Sequence, residues 1–169
     1  GLEEMFGRFD LGYLSEEDIA EHFSKYDGIR FSKEEIMRQI DGYLKLDHDL
    51  AKLIQMIKDT GFKTALLSNA NASFFERMVY KTYPEFKNLF DEIVISSSVG
   101  MVKPNRDIYE YTLRKLDSKP EESLFIDDSK VNVEAAKNLG MYGFVYTDVN
   151  SFTRHIQELR IIDSEQTLL

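Results

Sequence analysis

The strongest constraint on the fold of this chain is a change of pattern after Gly61. From residue 63 onward, short apolar runs alternate with amphipathic segments of helical period. Nearly continuous apolar strands that are separated by helices are typical of a parallel sheet covered on both faces, so we predict an α/β protein. The predicted strands cover residues 63–68, 92–96, 123–127 and 142–146. The helices that follow them are predicted to begin near Ser73, Pro104, Val131 and Ser151.

The part of the chain before Gly61 is predicted to be helical. Ser15 and Ser32 each precede an acidic residue by three positions, which is the capping-box pattern at a helix start. A third apolar stripe at helical spacing runs up to Gly61, where a glycine suits a helix end. We therefore divide the chain into a helical region, residues 1–48, and an α/β core, residues 49–169.

Polar groups follow three of the predicted strands. The first strand ends in Ser68 and Asn69, Lys103 follows the second, and Asp127 and Asp128 end the third. Ligands of open α/β sheets bind beyond the carboxyl ends of the strands, so these groups are expected to converge on one rim. A hydroxyl, an ammonium group and paired carboxylates with a divalent cation suit a phosphoryl group, whose charge must be neutralised from several sides.

Each of these residues also has an ordinary interpretation. Adjacent carboxylates such as Asp127 and Asp128 repel each other unless a cation lies between them, but a solvated turn with an aspartate helix cap also explains the pair. Ser68 alone could cap a helix, and Lys103 alone could be a solvated surface lysine. The order of the three groups, each at a strand end, favours the phosphate site.

The composition limits the partners of the chain. Its 169 residues suffice for one domain, and 30 acidic against 21 basic residues give a net charge of -9. This balance argues against nucleic acid or an anionic membrane as the partner, although a small phosphorylated metabolite stays possible. The sequence has no cysteine, no apolar run of membrane-spanning length and no signal peptide, so a cytoplasmic location is expected.

Three segments resemble the motifs of the haloacid dehalogenase (HAD) superfamily of phosphohydrolases. LLSNAN resembles its second motif, GMVKPNRDIYEYTL its third and LFIDDSKVNVEAAKNLGM its fourth. The similarity covers the chain from about Phe6 to Tyr146, and the branch that it resembles most is that of the sugar phosphatases related to bacterial α-glucose-1-phosphate phosphatase. The resemblance implies a Rossmann-like parallel sheet with a small N-terminal helical cap.

The resemblance also assigns roles to the residues at the strand ends. It implies that Ser68 and the Asn69 backbone bind phosphate, and that Lys103 neutralises the phosphate and the nucleophile. Asp128 and Asp127 would hold Mg²⁺, directly or through water. Asn132 would orient the acidic loop.

The first motif of the superfamily, which carries an aspartate nucleophile at the end of the central strand, is not recognised in this chain. Asp10 stands in a superficially similar Phe-Asp-Leu-Gly, but residues 1–8 contain glutamates, glycines and an arginine and do not suit a buried strand. We expect that the nucleophile is missing, together with the strand that would lie between strands 63–68 and 123–127 in the sheet. Either the sequence is truncated, another segment fills the gap, or the sheet is rearranged. Self-association across this gap, or pairing of the N-terminal arm with the exposed edges, could compensate for the missing strand.

The functional hypotheses are therefore as follows. The first is a Mg²⁺-dependent HAD phosphatase acting on a small phosphorylated metabolite, such as a sugar phosphate, and inactive in this chain without its nucleophile. The alternative is a non-catalytic phosphate-binding, metal-binding or interaction module on the same fold. A phospho-receiver domain also uses aspartates, Ser or Thr and Lys, but its acidic pair lies on the first strand and its lysine comes last, the reverse of the order here.

Overall fold

The computed structural model describes residues 2–25, 28, 31–42 and 44–163. The helices are α1 (Leu2–Asp10), α2 (Glu16–Ser24), α3 (Lys33–Gly42), α4 (His48–Asp59), α5 (Ala72–Phe74), α6 (Tyr80–Thr82), α7 (Ser96–Val99), α8 (Arg106–Leu116), α9 (Lys130–Lys137) and α10 (Val149–Glu158). A π-helical turn, Phe75–Val79, joins α5 to α6, and 3₁₀ turns cover Pro84–Leu89 and Pro120–Glu122. Among the described residues, no helix is both long and apolar enough to span a membrane.

The predicted strands are all present, each shorter than the apolar run that predicted it. They are β1 (Ala65–Ser68), β2 (Glu92–Ile95), β3 (Leu124–Asp127) and β4 (Tyr142–Val145). β1 pairs with β2, and β3 pairs in parallel with β4, with Leu124 opposite Tyr142 and Asp127 opposite Val145. In the described part of the chain the strands thus form separate two-stranded sheets, where the apolar pattern alone predicted a single sheet. No described strand joins β1 to β3, the position at which the HAD resemblance predicted a missing strand.

Both capping boxes form as predicted. The Ser15 hydroxyl accepts from the Asp18 amide at 3.1 Å, and the Asp18 carboxylate accepts from the Ser15 amide at 2.7 Å. The same reciprocal pair joins Ser32 and Glu35, at 3.2 and 2.7 Å. Gly61 follows the end of α4 with φ +95°, a conformation that favours glycine at a helix end.

Several predicted helix starts are displaced by a few residues. Asn105 is the N-cap of α8, so Pro104 lies before the helix and does not open it. Asp148, and not Ser151, is the N-cap of α10, because the Asp148 carboxylate accepts from the Ser151 amide at 2.8 Å. Aspartate caps helices at least as well as serine, and only the local backbone path decides between two nearby candidates.

The chain divides into two compact units. The first comprises Gly1–Lys45, Leu67–Lys87 and Val94–Val102, and the second comprises Leu46–Leu66, Asn88–Ile93 and Lys103–Leu169. The predicted boundary between residues 48 and 49 stays a prediction, because it divides a cap from a core, whereas these units are defined by their compactness.

The second unit has a continuous apolar core. Leu53 of α4, Phe152 and Ile156 of α10, and Ile162 are at most 4% exposed. Apolar side chains of β3 and β4 pack against this cluster, including Leu124, Ile126 and Phe144. Burial of these side chains holds β3 in place, and β3 ends in Asp127, with Asp128 directly after it.

The first unit contains the helical region and the segment after β1. Ile19 and Ala20 of α2 are buried, and Phe75 and Val79 of the π-helical turn are buried as well. Arg77, on the same turn, contacts carboxylates of α2 and α3: its side chain lies 2.9 Å from Glu16 and 2.7 Å from Asp41. The π-helical turn is therefore tied to both helices by charge-assisted hydrogen bonds.

Candidate functional site

A buried ion pair lies at the carboxyl end of β3. Lys103, which precedes α8 and is joined to Pro104 by a cis peptide bond, places its Nζ 2.6 Å from Oδ2 of Asp127. The two side chains are only 10% and 7% exposed. Since each charge has lost most of its water, each depends on the other for its stability.

The other oxygen of Asp127 is held by the first turn of α9. Its Oδ1 accepts from the Ser129 amide at 2.8 Å and from Nδ2 of Asn132 at 3.0 Å. Burial raises the pKa of Asp127, but the hydrogen bonds from Lys103, the Ser129 amide and Asn132 outweigh burial, so the pKa lies below its ordinary value. Asp127 is therefore ionised at neutral pH, and Asn132 makes the contact that was expected of it.

Asp128 has the opposite environment. Its side chain is exposed, and within the described residues no hydrogen bond or ion pair involves it. The adjacent aspartates therefore differ in kind: Asp127 is a buried acceptor with its donors in place, and Asp128 presents a carboxylate to solvent.

The aspartates can supply part of a Mg²⁺ coordination shell. In the described part of the chain, no group of three or more His, Cys, Asp or Glu side chains is arranged to hold a metal ion. Mg²⁺ does not need such a group, because it is usually bound by one or two carboxylates, with water and phosphate oxygens completing an octahedron. Among the described residues, Asp128 has no partner and Oδ2 of Asp127 accepts from Lys103 alone, which leaves that oxygen a further lone pair. The residues present therefore fit a Mg²⁺ ion.

Tyr109 of α8 is a neighbour of this site that the sequence motifs did not identify as a functional residue. It is 1% exposed, and its hydroxyl donates to the main-chain oxygen of Asn132 at 3.0 Å. Its ring packs edge-to-face on Phe125 at 5.1 Å. Burial and the charge of Asp127 raise the pKa of Tyr109 to about 12. The available signal was the residue type, because a buried tyrosine needs a partner for its hydroxyl.

The loop after β1 is fixed by serines that the sequence analysis did not single out. The Ser96 hydroxyl, which is fully buried, accepts from the Ala70 amide at 3.0 Å and lies 2.5 Å from the main-chain oxygen of Asp10. The Ser97 hydroxyl accepts from the Ala72 amide at 2.8 Å. These bonds set the backbone that follows Ser68, the last residue of β1. Ser68 and Asn69 belong to the first unit, and their joint action with Lys103 on one phosphate stays a prediction from the sequence.

Asp10 is not at the end of a strand. It is the last residue of helix α1, and burial raises its pKa. Gly12, two residues later, has φ +81°, and a Cβ at this position would lie 2.9 Å from Cβ of Ser97. For residues 2–8, the expectation that this segment does not form a strand is confirmed. Pairing of this arm with a strand edge, considered above, is wrong because the arm is helical.

Comparison with known proteins identifies the class. The chain matches the haloacid dehalogenase-like hydrolase family over residues 1–140, and it therefore belongs to that family. It is 29% identical to the sesquiterpene phosphatase astK of Aspergillus oryzae, across 92% of this chain and 79% of the relative. It is 28% identical to the bifunctional epoxide hydrolase 2 of Rattus norvegicus, across 76% of this chain but only 24% of that much longer protein.

Solved structures agree in fold. A predicted HAD-like family hydrolase from Porphyromonas gingivalis superposes with a TM-score of 0.73 at 26% identity, covering 94% of this chain and 78% of the other. A HAD family enzyme from Bacteroides thetaiotaomicron, in complex with magnesium and inorganic phosphate, has a TM-score of 0.68 at 22% identity, covering 83% of this chain and 73% of the other. The α/β HAD-like fold predicted from the motifs is therefore confirmed.

Proposed function

We propose that this chain carries the magnesium- and phosphate-binding part of a HAD phosphatase that hydrolyses a small phosphorylated metabolite. The observation that carries the proposal is the end of β3, where a buried Lys103–Asp127 pair stands beside the exposed, unengaged Asp128. A structural ion pair alone would not need a second carboxylate next to it. The astK relative, a phosphatase, and the magnesium and phosphate complex of the Bacteroides enzyme support the same function.

Each residue has a distinct role in this proposal. Asp128, with Asp127, holds Mg²⁺, which supplies positive charge to the phosphate oxygens when it is bound. Lys103, which donates to Asp127, supplies positive charge to the phosphate. Ser68 and the Asn69 backbone keep the phosphate-binding role that the second motif implies. Together these groups stabilise the charge that develops during phosphoryl transfer.

The chain by itself is proposed to be inactive. Covalent phosphatase catalysis in this family needs a carboxylate that attacks phosphorus. Among the described strands, β3 ends in a carboxylate, but this residue, Asp127, is paired with Lys103. Asp10 does not replace it, because Asp10 ends a helix. Hydrolysis therefore requires a further segment that presents an aspartate to the site.

The substrate class is proposed from the relatives. The motifs resemble those of sugar phosphatases, whereas astK is named a sesquiterpene phosphatase. Hydrolysis rates on a panel of sugar phosphates and terpenoid monophosphates separate these substrate classes. The net charge of -9 disfavours nucleic acid as a substrate.

Self-association is proposed as well. Isolated two-stranded sheets are marginally stable, and in the described residues β1 pairs with β2 alone and β3 with β4 alone. A second copy could pair with such an edge. Light scattering after size exclusion tests this, and a monomer at all concentrations would contradict it.

Titration calorimetry with Mg²⁺ tests the site directly. We expect weak binding by the unchanged chain and a clear loss for Asp128→Asn, because one of few carboxylate ligands becomes neutral. The matched control is Asp117→Asn: Asp117 is exposed and has φ 48°, a conformation that asparagine tolerates. Equal Mg²⁺ binding by the unchanged chain and Asp128→Asn would refute the assignment.

The alternative is a non-catalytic phosphate- or metal-binding module. The helical conformation of residues 2–10 and the separation of the described strands into pairs favour this alternative. It predicts the same binding of Mg²⁺ and phosphate, with no hydrolysis even when an N-terminal strand ending in aspartate is supplied.

A further inference from the structure

Tyr109 belongs to a hydrogen-bond network that includes the Lys103–Asp127 pair. The Tyr109 hydroxyl donates to the main-chain oxygen of Asn132, and the Asn132 side chain donates to Asp127. Asp127 accepts from Lys103, which lies six residues before Tyr109 on the same stretch of backbone. The hydrogen bonds therefore link Tyr109 to Lys103, and the backbone from Lys103 into α8 links the same residues a second time.

This network couples the Lys103–Asp127 pair to the packing of α8 against α9. Lys103 lies just ahead of α8, and Asp127 is held by the first turn of α9, so the geometry of the ion pair depends on how α8 and α9 are placed against each other. The Tyr109 hydroxyl makes a hydrogen bond between α8 and α9, and the acceptor belongs to Asn132, the residue that orients Asp127. Its position is well defined, because the ring is buried and packs on Phe125, the residue two positions before Asp127.

A merely space-filling role does not explain the hydroxyl. Phenylalanine would fill the same volume and keep the edge-to-face contact with Phe125. The tyrosine instead brings a polar atom into a buried place, which is unfavourable unless that atom is hydrogen-bonded. The acceptor is a carbonyl in the helical turn that carries the Asn132 amide.

We infer that Tyr109 is a positioning residue for the phosphate-binding lysine, acting through Asn132 and Asp127 to hold the Lys103 ammonium group in place. The identity of the bound anion rests on the proposed function, whereas the ordering of Lys103 does not. Loss of the Tyr109 hydroxyl should loosen the first turn of α9, weaken the grip on Asp127 and increase the motion of Lys103.

The test compares Tyr109→Phe with Tyr111→Phe. Tyr111 lies on the same helix, is half-buried, and its hydroxyl has no hydrogen bond within the described residues, so the change in composition is matched. The readout is the hydrogen-exchange rate of the Lys103 ammonium group, observed by NMR of protein with ¹⁵N-labelled lysine and assigned by its absence in Lys103→Met. We expect faster exchange in Tyr109→Phe and no change in Tyr111→Phe, both measured far below the unfolding temperature.

Binding of inorganic phosphate in the presence of Mg²⁺ gives a second readout. Changes in residues that orient ligands of a metal site typically weaken binding or activity by about tenfold or more, so we expect a weakening of this order for Tyr109→Phe. A purely structural role would lower the melting temperature without changing Lys103 exchange, and that result would overturn the inference.

A double-mutant cycle with Asn132→Ala tests the route. If Tyr109 acts through Asn132, its hydroxyl has little further effect once the Asn132 amide is gone, so the effects of the two changes on Lys103 exchange should not add. Additive effects would show that Tyr109 does not act through this residue. Absence of Mg²⁺ and phosphate binding in the unchanged chain would refute the proposed function, while the exchange rates would still decide the role of Tyr109.

Discussion

The chain contains two partly buried charge clusters that are built in opposite ways. In the first unit, Arg77 donates to both Glu16 and Asp41, and the second oxygen of Glu16 is buried with no hydrogen-bond partner among the described residues. In the second unit, three donors converge on Asp127.

The contrast between these clusters separates a structural ion pair from a candidate site. The Arg77 cluster joins α2, α3 and the π-helical turn, so its cation is engaged by carboxylates on two sides. The Asp127 cluster gives each oxygen of its buried carboxylate at least one donor, and the exposed Asp128 directly follows the strand. Asp128, a carboxylate with no partner among the described residues, lies next to the rigidly held Asp127 and is therefore available for a ligand.

The largest expected effect is the creation of activity. An apolar strand that ends in aspartate, fused ahead of residue 2, should raise the melting temperature and produce Mg²⁺-dependent hydrolysis of an aryl phosphate, because it supplies the attacking carboxylate. Lys103→Ala in the extended protein should lower the rate by about 10²–10³-fold, as for other groups that stabilise transition-state charge. Arg77→Ala should spare the rate constant of the folded fraction.

The controls for that experiment are the chain as it stands and the same extension ending in asparagine, both expected to show background rates. Hydrolysis by the unextended chain that Asp10→Asn abolishes would show that the helical Asp10 is the nucleophile after all. An inactive extended protein would favour the non-catalytic alternative.

The second effect is on stability. Lys103→Met should cost about 3 kcal/mol or more, since breaking a buried pair leaves an uncompensated charge on Asp127. Arg77→Met should cost less, about 2 kcal/mol, because its side chain is 34% exposed and water can take over part of its role. Urea unfolding measures both changes, and a larger loss for Arg77→Met would reverse the assignment of the two clusters.

The third effect is a pH dependence of that stability. The folded-state pKa of Asp127 is below its ordinary value, so its contribution is complete above the unfolded pKa of about 3.9 and is lost as the pH falls through the folded pKa. Unfolding curves of the unchanged chain and Asp127→Asn should therefore converge as the pH is lowered below about 4. A stability difference that stays constant down to pH 2 would contradict the ion pair.

The smallest effect concerns Asp128. Its exposed carboxylate has no partner within the described residues, so Asp128→Asn should change the free energy of unfolding by about 0.5 kcal/mol or less. The same change should remove Mg²⁺ binding. A large loss of stability would mean that Asp128 is structural, and the contrast between the adjacent aspartates would be lost.

The class of this protein and most of its helices and strands could be predicted from local sequence patterns. Apolar runs, capping boxes and the order Ser68, Lys103, Asp127–Asp128 are local or ordered along the chain, so they predicted the strands, the helix starts near Ser15 and Ser32, and the HAD family. The absence of a strand pattern in residues 1–8 likewise indicated that Asp10 would not end a strand, and the helix α1 agrees.

The burial of Asp127, the exposure of Asp128 and the contact of Tyr109 with the site could not be predicted from sequence patterns. Asp127 and Asp128 are identical in type and adjacent, so their difference comes from the way in which β3, α9 and the Lys103 segment pack together. The same holds for the contact of Tyr109 with Asn132, residues 23 positions apart in the chain. Such contacts depend on the summed packing of many side chains, and the pattern around any one residue does not contain them.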